Sequence, residues 1–500
     1  MVMRPLVKIE DDKIVGGSCE NKEQRNVENA DYFVFWRGNG TIVPSLLYKF
    51  FEMRGFGLFY PKSSDVKTAN PVVVKVTGNL VSEVSEAYLL QTAKNYVLEK
   101  TEEDGKSDAI IDSLHTSTGL FGNKNQKLLA PLMLEFIEDS KDSAFLFFKN
   151  GVVEITGAAV ELKLYDDYEG YVWEKNIIGR DFNPVNFNEL SGKCDFLSFM
   201  NDITKVADEE ESIKRFSSLF SILGYLCHRY KDNTNTKAII LMDAAPFGNA
   251  NGRTGKTLIC QAVGRIRNMS IIDGKSYDQR RWHRFSSVGL STDLLLFDDI
   301  QKNFDFELLF PLMTTGLQIQ RKYKDDVFIS FEDSPKVVIT TNYAVIGEGS
   351  SFRGRTFEFE VSNTFNAEYQ PTDKYGKRFF EEWDDKEWNQ FYNLIAYAVK
   401  FYLWKGLIKS EPINLNLSKL IHQTNEDFVD FCNSHVKANI RYDKRELVSK
   451  FWAEYPEYSG IGQRTFTFWL HKWGSNIGAK VEETRSNDLR YIRFIVTEKS

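Results

Sequence analysis

A loop rich in glycine and asparagine, followed by Gly-Lys-Thr, is the first feature of this sequence that could do chemistry. The apolar run AIILMD precedes the loop, and the apolar segment TLICQAVG follows it. This order is typical of a P-loop, in which backbone amides at a helix N-terminus surround phosphate oxygens. Lys256 would contact the terminal phosphates of a nucleotide, and Thr257 would bind its magnesium ion. The predicted nucleotide-binding residues are Gly248, Asn251, Gly252, Arg253, Thr254, Gly255, Lys256, Thr257 and Leu258.

The loop is irregular, because Ala250 stands where a P-loop has its first glycine. Glycine-rich turns between a strand and a helix are common in α/β proteins, so the loop alone does not establish a phosphate site. Two further strand ends strengthen the prediction.

The run LLLFDDI delivers Asp298 and Asp299 at the end of a buried strand. Asp298 is predicted to hold magnesium through water, and Asp299 to orient the attacking water. A third buried run, KVVITT, ends at Asn342, whose amide would orient water beside the γ-phosphate. The alternatives are a solvated acidic turn for the two acids and a turn-initiating asparagine for Asn342.

The order of these motifs resembles that of the superfamily 3 helicases of small DNA viruses, phages and plasmids. The resemblance rests on the GKT loop, the DD strand, a glycine and basic cluster, PKVVITTN, and SFRGRTFEFEV. Upstream, FFKNGVVEITGAAVELKLYDD and FSSLFSILGYL are similar to the collar region of poxvirus and phage-type primase-helicases. The resemblance implies an AAA+-type ATPase that uses ATP and Mg²⁺ and moves along single-stranded DNA.

The resemblance also assigns a DNA contact and an arginine finger. Residues 316–330 match a hairpin that projects into the central pore, and its tip would bind DNA through Arg321, Lys322, Tyr323 and Lys324. Cations there would hold phosphates and the tyrosine would stack on a base, whereas a solvated basic hairpin is the alternative. Arg353 or Arg355 would reach the neighbouring subunit's nucleotide, and the spacing does not decide between them. A homo-oligomer, in this family a hexameric ring, would follow. The predicted catalytic residues are Lys256, Asp298, Asp299, Asn342, Arg353 and Arg355.

The rest of the chain predicts a multidomain α/β protein. We expect an α+β N-terminal domain (1–190), a helical collar (191–235), an AAA+-like P-loop core with a mainly parallel sheet (236–365), a helical extension (366–424) and a winged-helix-like domain (425–500). Within the first domain, FVFWRG is predicted to be a strand, and residues 82–99 and 127–138 to be helices. Three helices and a strand pair, 479–484 and 490–496, are predicted at the C-terminus.

Composition excludes some classes of protein. With 42% hydrophobic and 27% charged residues in 500, the chain should fold, and its net charge of −7 argues against coating nucleic acid over the whole surface. No apolar run is long enough for a membrane span, and five scattered cysteines indicate free thiols in a reducing cytoplasm. The acids and histidine of the N-terminal part form no convincing metal site, so we expect no primer synthesis.

Three functions remain open on the sequence. The first is an ATP-dependent replicative helicase of a phage, virus or mobile element, with other replication proteins as further partners. The second is an origin-binding or regulatory DNA-dependent ATPase that does not unwind DNA. The third, motivated by Ala250, is a non-catalytic P-loop interaction protein.

Overall fold

The described residues of the N-terminal third form the antiparallel pair of Val7–Glu10 with Lys13–Gly16 and two larger sheets in a mixed α/β fold. A computed structural model describes residues 7–10, 13–16, 33–61, 70–101, 107–234, 236–244, 252–278, 284–301, 304–320, 326–343, 345, 349–486 and 489–496. The first elements are β1 (Val7–Glu10), β2 (Lys13–Gly16), α1 (Pro44–Met53), β3 (Phe56–Phe59), β4 (Val72–Thr77), β5 (Leu80–Glu83), α2 (Glu86–Thr101), α3 (Ser107–Thr116), α4 (Asn123–Gln126) and β6 (Pro131–Leu132). The first five-stranded sheet has the order β10-β5-β4-β3-β6, where β10 is Val172–Trp173, and α1 to α3 pack on it around a core of buried aromatic and aliphatic side chains.

Three sequence predictions for this region need correction. Residues 127–138 are not a helix, because Pro131 interrupts them and β6 instead pairs with β3 in an extended conformation. The helix expected over 82–99 begins only at Glu86, since residues 80–83 belong to β5. The run FVFWRG makes a single bridge, Trp36 to Ile42, and no strand.

The second sheet leads into the helical segment that was predicted to be a collar. Its strands are β7 (Ser143–Phe148), β8 (Gly151–Thr156), β9 (Val160–Lys163) and β11 (Ile177–Ile178), in the order β11-β7-β8-β9. The helices α5 (Phe187–Leu190), α6 (Asp195–Thr204) and α7 (Glu209–Cys227) follow. The acidic run before α7 has a local cause, since the Asp208 carboxylate accepts hydrogen bonds from the first amides of the helix.

The central sheet has five strands, and all of its pairings are parallel, as predicted. The elements of this part of the chain are β12 (Ala238–Asp243), α8 (Lys256–Gly264), β13 (Met269–Asp273), β14 (Leu294–Ile300), the separate hairpin β15 (Gly316–Ile319) and β16 (Val327–Ser330), β17 (Lys336–Thr341), α9 (Gly349–Arg355) and β18 (Thr356–Val361). The strand order is β13-β14-β17-β12-β18. Every residue of β12 and β17 is buried, as expected for central strands covered on both faces. One hydrophobic core joins this sheet to the second sheet, α6, α7 and α11 (Asp385–Lys405).

The C-terminal elements have a separate hydrophobic core. After α10 (Pro371–Tyr375) and α11 come α12 (Leu415–Gln423), α13 (Glu426–His435), β19 (Arg441–Asp443), α14 (Lys444–Glu454), α15 (Gln463–Asn476), β20 (Lys480–Ser486) and β21 (Leu489–Ile495). The three predicted helices end within a few residues of α13, α14 and α15. The predicted strand pair is β20 and β21, and β19, which was not predicted, pairs with β21 on its other side.

Other features of the described residues bear on predictions made from composition. None of the described helices is long and apolar enough to cross a membrane. Four of the five cysteines, Cys194, Cys227, Cys260 and Cys432, are free and buried, as expected, and Cys19 lies outside the described residues.

The helices α7 and α11 approach each other closely at Gly224. A Cβ atom at this position would lie 2.1 Å from the Ala398 carbonyl oxygen and 2.6 Å from the Cβ of Tyr402. We therefore expect Gly224→Ala to lower the free energy of unfolding by about 1–3 kcal/mol, as overpacking does in cores. Denaturant unfolding measures this. Gly119→Ala is the matched control, since nothing lies within 4 Å of its Cβ position, and equal stability of both variants would contradict the close approach.

Candidate nucleotide site

The polar residues predicted to act on a nucleotide lie at one edge of the central sheet. Because β12, β14 and β17 are parallel, their carboxyl ends meet there. Asp243 ends β12, Asp298 and Asp299 lie near the end of β14, and Asn342 follows β17. Lys256 is the first residue of α8, which starts above the same edge.

The Lys256 side chain is fixed by two of these strand ends. Its Nζ lies 2.7 Å from the Asp243 Oδ2 and donates a hydrogen bond to the Asn342 Oδ1 at 2.6 Å. The Asp243 side chain is fully buried, and it also accepts a hydrogen bond from the Thr254 hydroxyl. The ammonium is thus held at the sheet edge by a carboxylate and an amide from neighbouring strands.

A backbone irregularity brings the two acids into one cleft. In a regular strand, Asp298 and Asp299 would point to opposite faces of the sheet. Here the pairing of β14 with β17 shifts between Phe297 and Ile300, and Asp299 adopts a left-handed φ of 55°. Both acids consequently line the same cleft.

Hydrogen bonds connect the acids to the strand that ends at Asn342. The Thr340 hydroxyl donates to Asp298 Oδ1 at 2.6 Å and accepts from the Asp299 amide at 2.7 Å. The Asn342 Nδ2 donates to Asp299 Oδ1 at 3.3 Å. Asp299 also forms an ion pair with Lys275 at 2.5 Å, a partner that the sequence motifs did not indicate. Asn342 therefore contacts both Lys256 and Asp299.

The described part of the predicted P-loop turns into α8 through a strained backbone. Gly252 and Arg253 both have φ of 61°, and Gly255, the N-cap residue, has φ of 110°. A Cβ at Gly255 would lie 2.7 Å from the Cζ of Phe199 in α6, so glycine is required by both conformation and space. Gly248 and Asn251, together with Ala250, lie outside the described residues.

The cleft has a wall that sequence reasoning missed. Its volume is about 500 Å³, and residues 252–258 line it together with Asp298, Asp299 and Asn342. The opposite wall comes from residues 370–381, on and after α10, and includes Lys377, Arg378 and Phe379. No local sequence pattern predicted that these residues line the cleft. Asp243 was also missed, although a polar residue ending a buried strand, like Asn342, was an available signal.

Residues of this cleft fit a magnesium nucleotide. Magnesium is usually bound through one or two carboxylates together with phosphates and water. Asp298 could supply the carboxylate, and the Thr257 hydroxyl could be a further ligand. The unpaired amides at the start of α8 and the Lys256 ammonium suit phosphate oxygens. Among the described residues there is no cluster of three or more His, Cys, Asp or Glu side chains that would hold a metal by itself.

The two predicted finger arginines lie away from this cleft. Arg353 and Arg355 are in α9, which precedes β18, and thus lie at the amino edge of the sheet. The six residues of β18 span about 20 Å between the two edges. Arg355 donates to the Ser351 carbonyl at 3.2 Å and stacks on Phe310 at 4.8 Å, whereas Arg353 is exposed. Neither side chain lines the nucleotide cleft of its own chain.

The predicted DNA-contact residues Arg321, Lys322, Tyr323 and Lys324 lie outside the described residues, but the hairpin strands that flank them are described. β15 and β16 pair antiparallel from Gly316 with Ser330 to Ile319 with Val327. Lys231, which follows α7, fixes the base of this hairpin. Its Nζ donates to the Leu312 carbonyl at 3.2 Å and to the Ser334 hydroxyl at 2.6 Å, and burial lowers the pKa of Lys231 to about 7.

Comparisons with known proteins do not identify a family. No family model and no curated protein matches the chain. Among solved structures, the Drosophila ORC bound to DNA matches at 10% sequence identity and a TM-score of 0.19, covering 66% of this chain and 95% of that one. A TM-score this low does not support an inference about fold or function.

The buried Lys256–Asp243 pair should be strongly coupled. Breaking a buried pair leaves one uncompensated charge, so Asp243→Asn and Lys256→Met should each lower the free energy of unfolding by about 3 kcal/mol. The double variant should lose clearly less than the sum of the two single losses. Denaturant unfolding of the three variants and the wild type forms the cycle. Additive losses would show that the pair is not coupled.

Proposed function

We propose that the chain is an ATP-dependent DNA helicase of the superfamily 3 type, which uses ATP and Mg²⁺ as cofactors and translocates on single-stranded DNA. The observation that carries the proposal is the gathering of Lys256, Asp298, Asp299 and Asn342 at one sheet edge, around one cleft. A non-catalytic P-loop protein would not require paired acids and a polar amide beside its lysine. Replication of a phage, virus or mobile element in a cytoplasm is the proposed setting.

Each side chain has a role in this proposal. Lys256 and the first amides of α8 would neutralise the phosphates, and Thr257 and Asp298 would hold Mg²⁺, which polarises the phosphoryl group. Asp299 would orient the attacking water. The Asn342 amide contacts both Lys256 and Asp299. Loss of a terminal phosphate near Lys256 would therefore change the contacts of Asp299 through this one amide. This contact is a route by which hydrolysis would alter β17 and the hairpin before it.

Position at the amino edge supports a trans role for Arg353 or Arg355. An arginine about one strand length from its own cleft would act only on a neighbouring subunit's nucleotide. This requires a homo-oligomer, and the family resemblance makes it a hexameric ring with an AAA+ core.

DNA contacts are proposed for the hairpin tip, at Arg321, Lys322, Tyr323 and Lys324. The Lys231 contacts at the hairpin base would transmit movement between the collar helices and the pore. The C-terminal elements α13 to β21, three helices followed by an antiparallel strand pair, support a winged helix that contacts DNA or another replication protein.

ATP hydrolysis tests the proposal directly. Lys256→Ala and Asp299→Asn should each lower the kcat for single-stranded-DNA-stimulated ATP hydrolysis by about 100-fold or more, because each removes a group acting on the phosphoryl transfer. Asp108→Asn, an exposed acid on α3, is the control. Wild-type rates in both cleft variants would refute the proposal. Fork substrates then separate a helicase from a DNA-dependent ATPase that does not unwind.

Mixing variants tests the trans arginine. Lys256→Ala should be inactive alone, and so should whichever of Arg353→Ala and Arg355→Ala removes the finger. A one-to-one mixture should regain up to about a quarter of wild-type hydrolysis, since a random ring combines an intact lysine with an intact neighbouring arginine at that frequency. The arginine whose loss is complemented is the finger. Failure of both mixtures to regain activity would contradict a trans role.

A further inference from the structure

A basic cleft lies at the far end of α8 from the nucleotide site. It has a volume of about 700 Å³ and is bounded by Lys175 and Arg180 near β11, by Arg265 at the end of α8, and by Trp388 of α11. The nine residues of α8 separate it from Lys256 by about 14 Å. None of the described residues that line it is an aspartate or a glutamate. Its lining is therefore strongly cationic, although the whole chain carries a net charge of −7.

The cations of the cleft differ in their availability. Lys175 and Arg265 are exposed, and the Arg265 guanidinium lies 5.7 Å from the centre of the Phe380 ring. Arg180 stacks on Trp388 at 4.9 Å and pairs with Asp385, whose side chain is 95% exposed, and so exposed a pair is weak and can be exchanged for a ligand anion. Arg267, also in the lining, is committed to the buried carboxylate of Asp139.

Asn176 supplies a second, independent observation. It lines the cleft and is only 6% exposed, yet neither its Nδ2 nor its Oδ1 has a hydrogen-bond partner among the described residues. Buried amides normally have partners, because leaving donor and acceptor unsatisfied is unfavourable. A donor and an acceptor side by side match the edge of a nucleobase, as asparagine does with adenine. Because both amide atoms are buried, such a contact requires the Asn176 side chain to turn outward into the cleft.

A second cavity lies beside the cleft and shares lining residues with it, and the two together are called the groove. The second cavity, of about 420 Å³, shares Lys175, Asn268 and Met269 with the cleft and is lined by Ser286, Ser287 and Ser291. Its one acid, Glu83, accepts a hydrogen bond from the Leu290 amide at 2.7 Å. Serine hydroxyls commonly contact phosphate and sugar oxygens. Two adjacent cavities with this lining suit a chain of nucleotides better than a single one.

We propose that this groove binds a segment of single-stranded nucleic acid, with its phosphates on Lys175, Arg180 and Arg265 and one base edge at Asn176. This site includes none of the residues that are predicted to form the hairpin tip. It extends the proposed function by adding a DNA contact outside the pore, but it does not depend on ATP hydrolysis.

Fluorescence anisotropy with a labelled oligodeoxythymidylate and an adenine-containing strand tests the site. The full chain carries Arg321→Ala, Lys322→Ala and Lys324→Ala, so that the predicted hairpin contacts do not contribute. On this background, Lys175→Ala with Arg265→Ala should weaken binding about tenfold or more and reduce the salt slope of log K by about 1.4, which is 0.7 for each lost phosphate contact. Lys49→Ala with Lys124→Ala, two exposed lysines elsewhere, makes the same change in charge and should leave binding unchanged.

Asn176→Leu separates binding from folding. It removes an amide without partners, so the thermal unfolding midpoint should stay the same or rise, whereas affinity for the adenine-containing strand should fall at least about threefold. If the variants with Lys175→Ala and Arg265→Ala or with Asn176→Leu bind DNA as tightly as the Lys49→Ala and Lys124→Ala control, the proposal is overturned. Competition by polyglutamate, or by a mononucleotide at equal phosphate concentration, would also overturn it, because the site would then recognise an acidic peptide or a free nucleotide.

Hydrolysis assays run in parallel distinguish this inference from the proposed function. Loss of DNA binding in the groove variants, together with wild-type hydrolysis by Lys256→Ala, would support DNA binding in the groove and refute the helicase proposal. Normal DNA binding in the groove variants, together with loss of hydrolysis in Lys256→Ala, would refute only the proposal of DNA binding in the groove.

Discussion

The Lys256 ammonium, held between the Asp243 carboxylate and the Asn342 amide, is the interaction on which the site depends. It exists only because β12 and β17 are parallel neighbours whose ends coincide, and because α8 begins directly above them. A charge buried to this degree is tolerated when it is paired and hydrogen-bonded. The sheet therefore serves as a rigid frame for one cation, and the acids of β14 are positioned relative to that cation.

Packing behind residues 252–255 connects the edge of the central sheet to α6. Phe199 of α6 lies against Gly255 and stacks on Phe365, and its ring meets Phe379 edge-on at 5.6 Å. Residues 370–381, which form the second wall of the cleft, are thus anchored to the same aromatic cluster as the start of α8. A shift of α6 would have to be accommodated at both walls, since close-packed cores do not deform continuously.

The sequence predicted those parts of the structure that follow from local patterns. Buried apolar runs ending in Asp298, Asp299 and Asn342 were sufficient to predict that these side chains meet at the carboxyl edge of a parallel sheet. The helix expected over 127–138 was wrong because strand pairing and Pro131 outweighed its apolar spacing. The left-handed φ of Asp299 and the wall at 370–381 depend on contacts between distant parts of the chain, which no local pattern reveals. For the same reason, the separation of Arg353 and Arg355 from the cleft became visible only with the strand order.

That separation has a consequence for symmetry. Lys256 lies at the carboxyl edge of the central sheet and the arginines at its amino edge, so a contact that joins one copy's arginine to another copy's lysine pairs two different surfaces. In a dimer joined by such a heterologous contact, each copy still has one of the two surfaces free. Every added copy presents that surface again, so further copies can bind. Whether successive copies close into a ring or continue as an open helix is then decided by the angle at each contact, and only closure gives every arginine a partner.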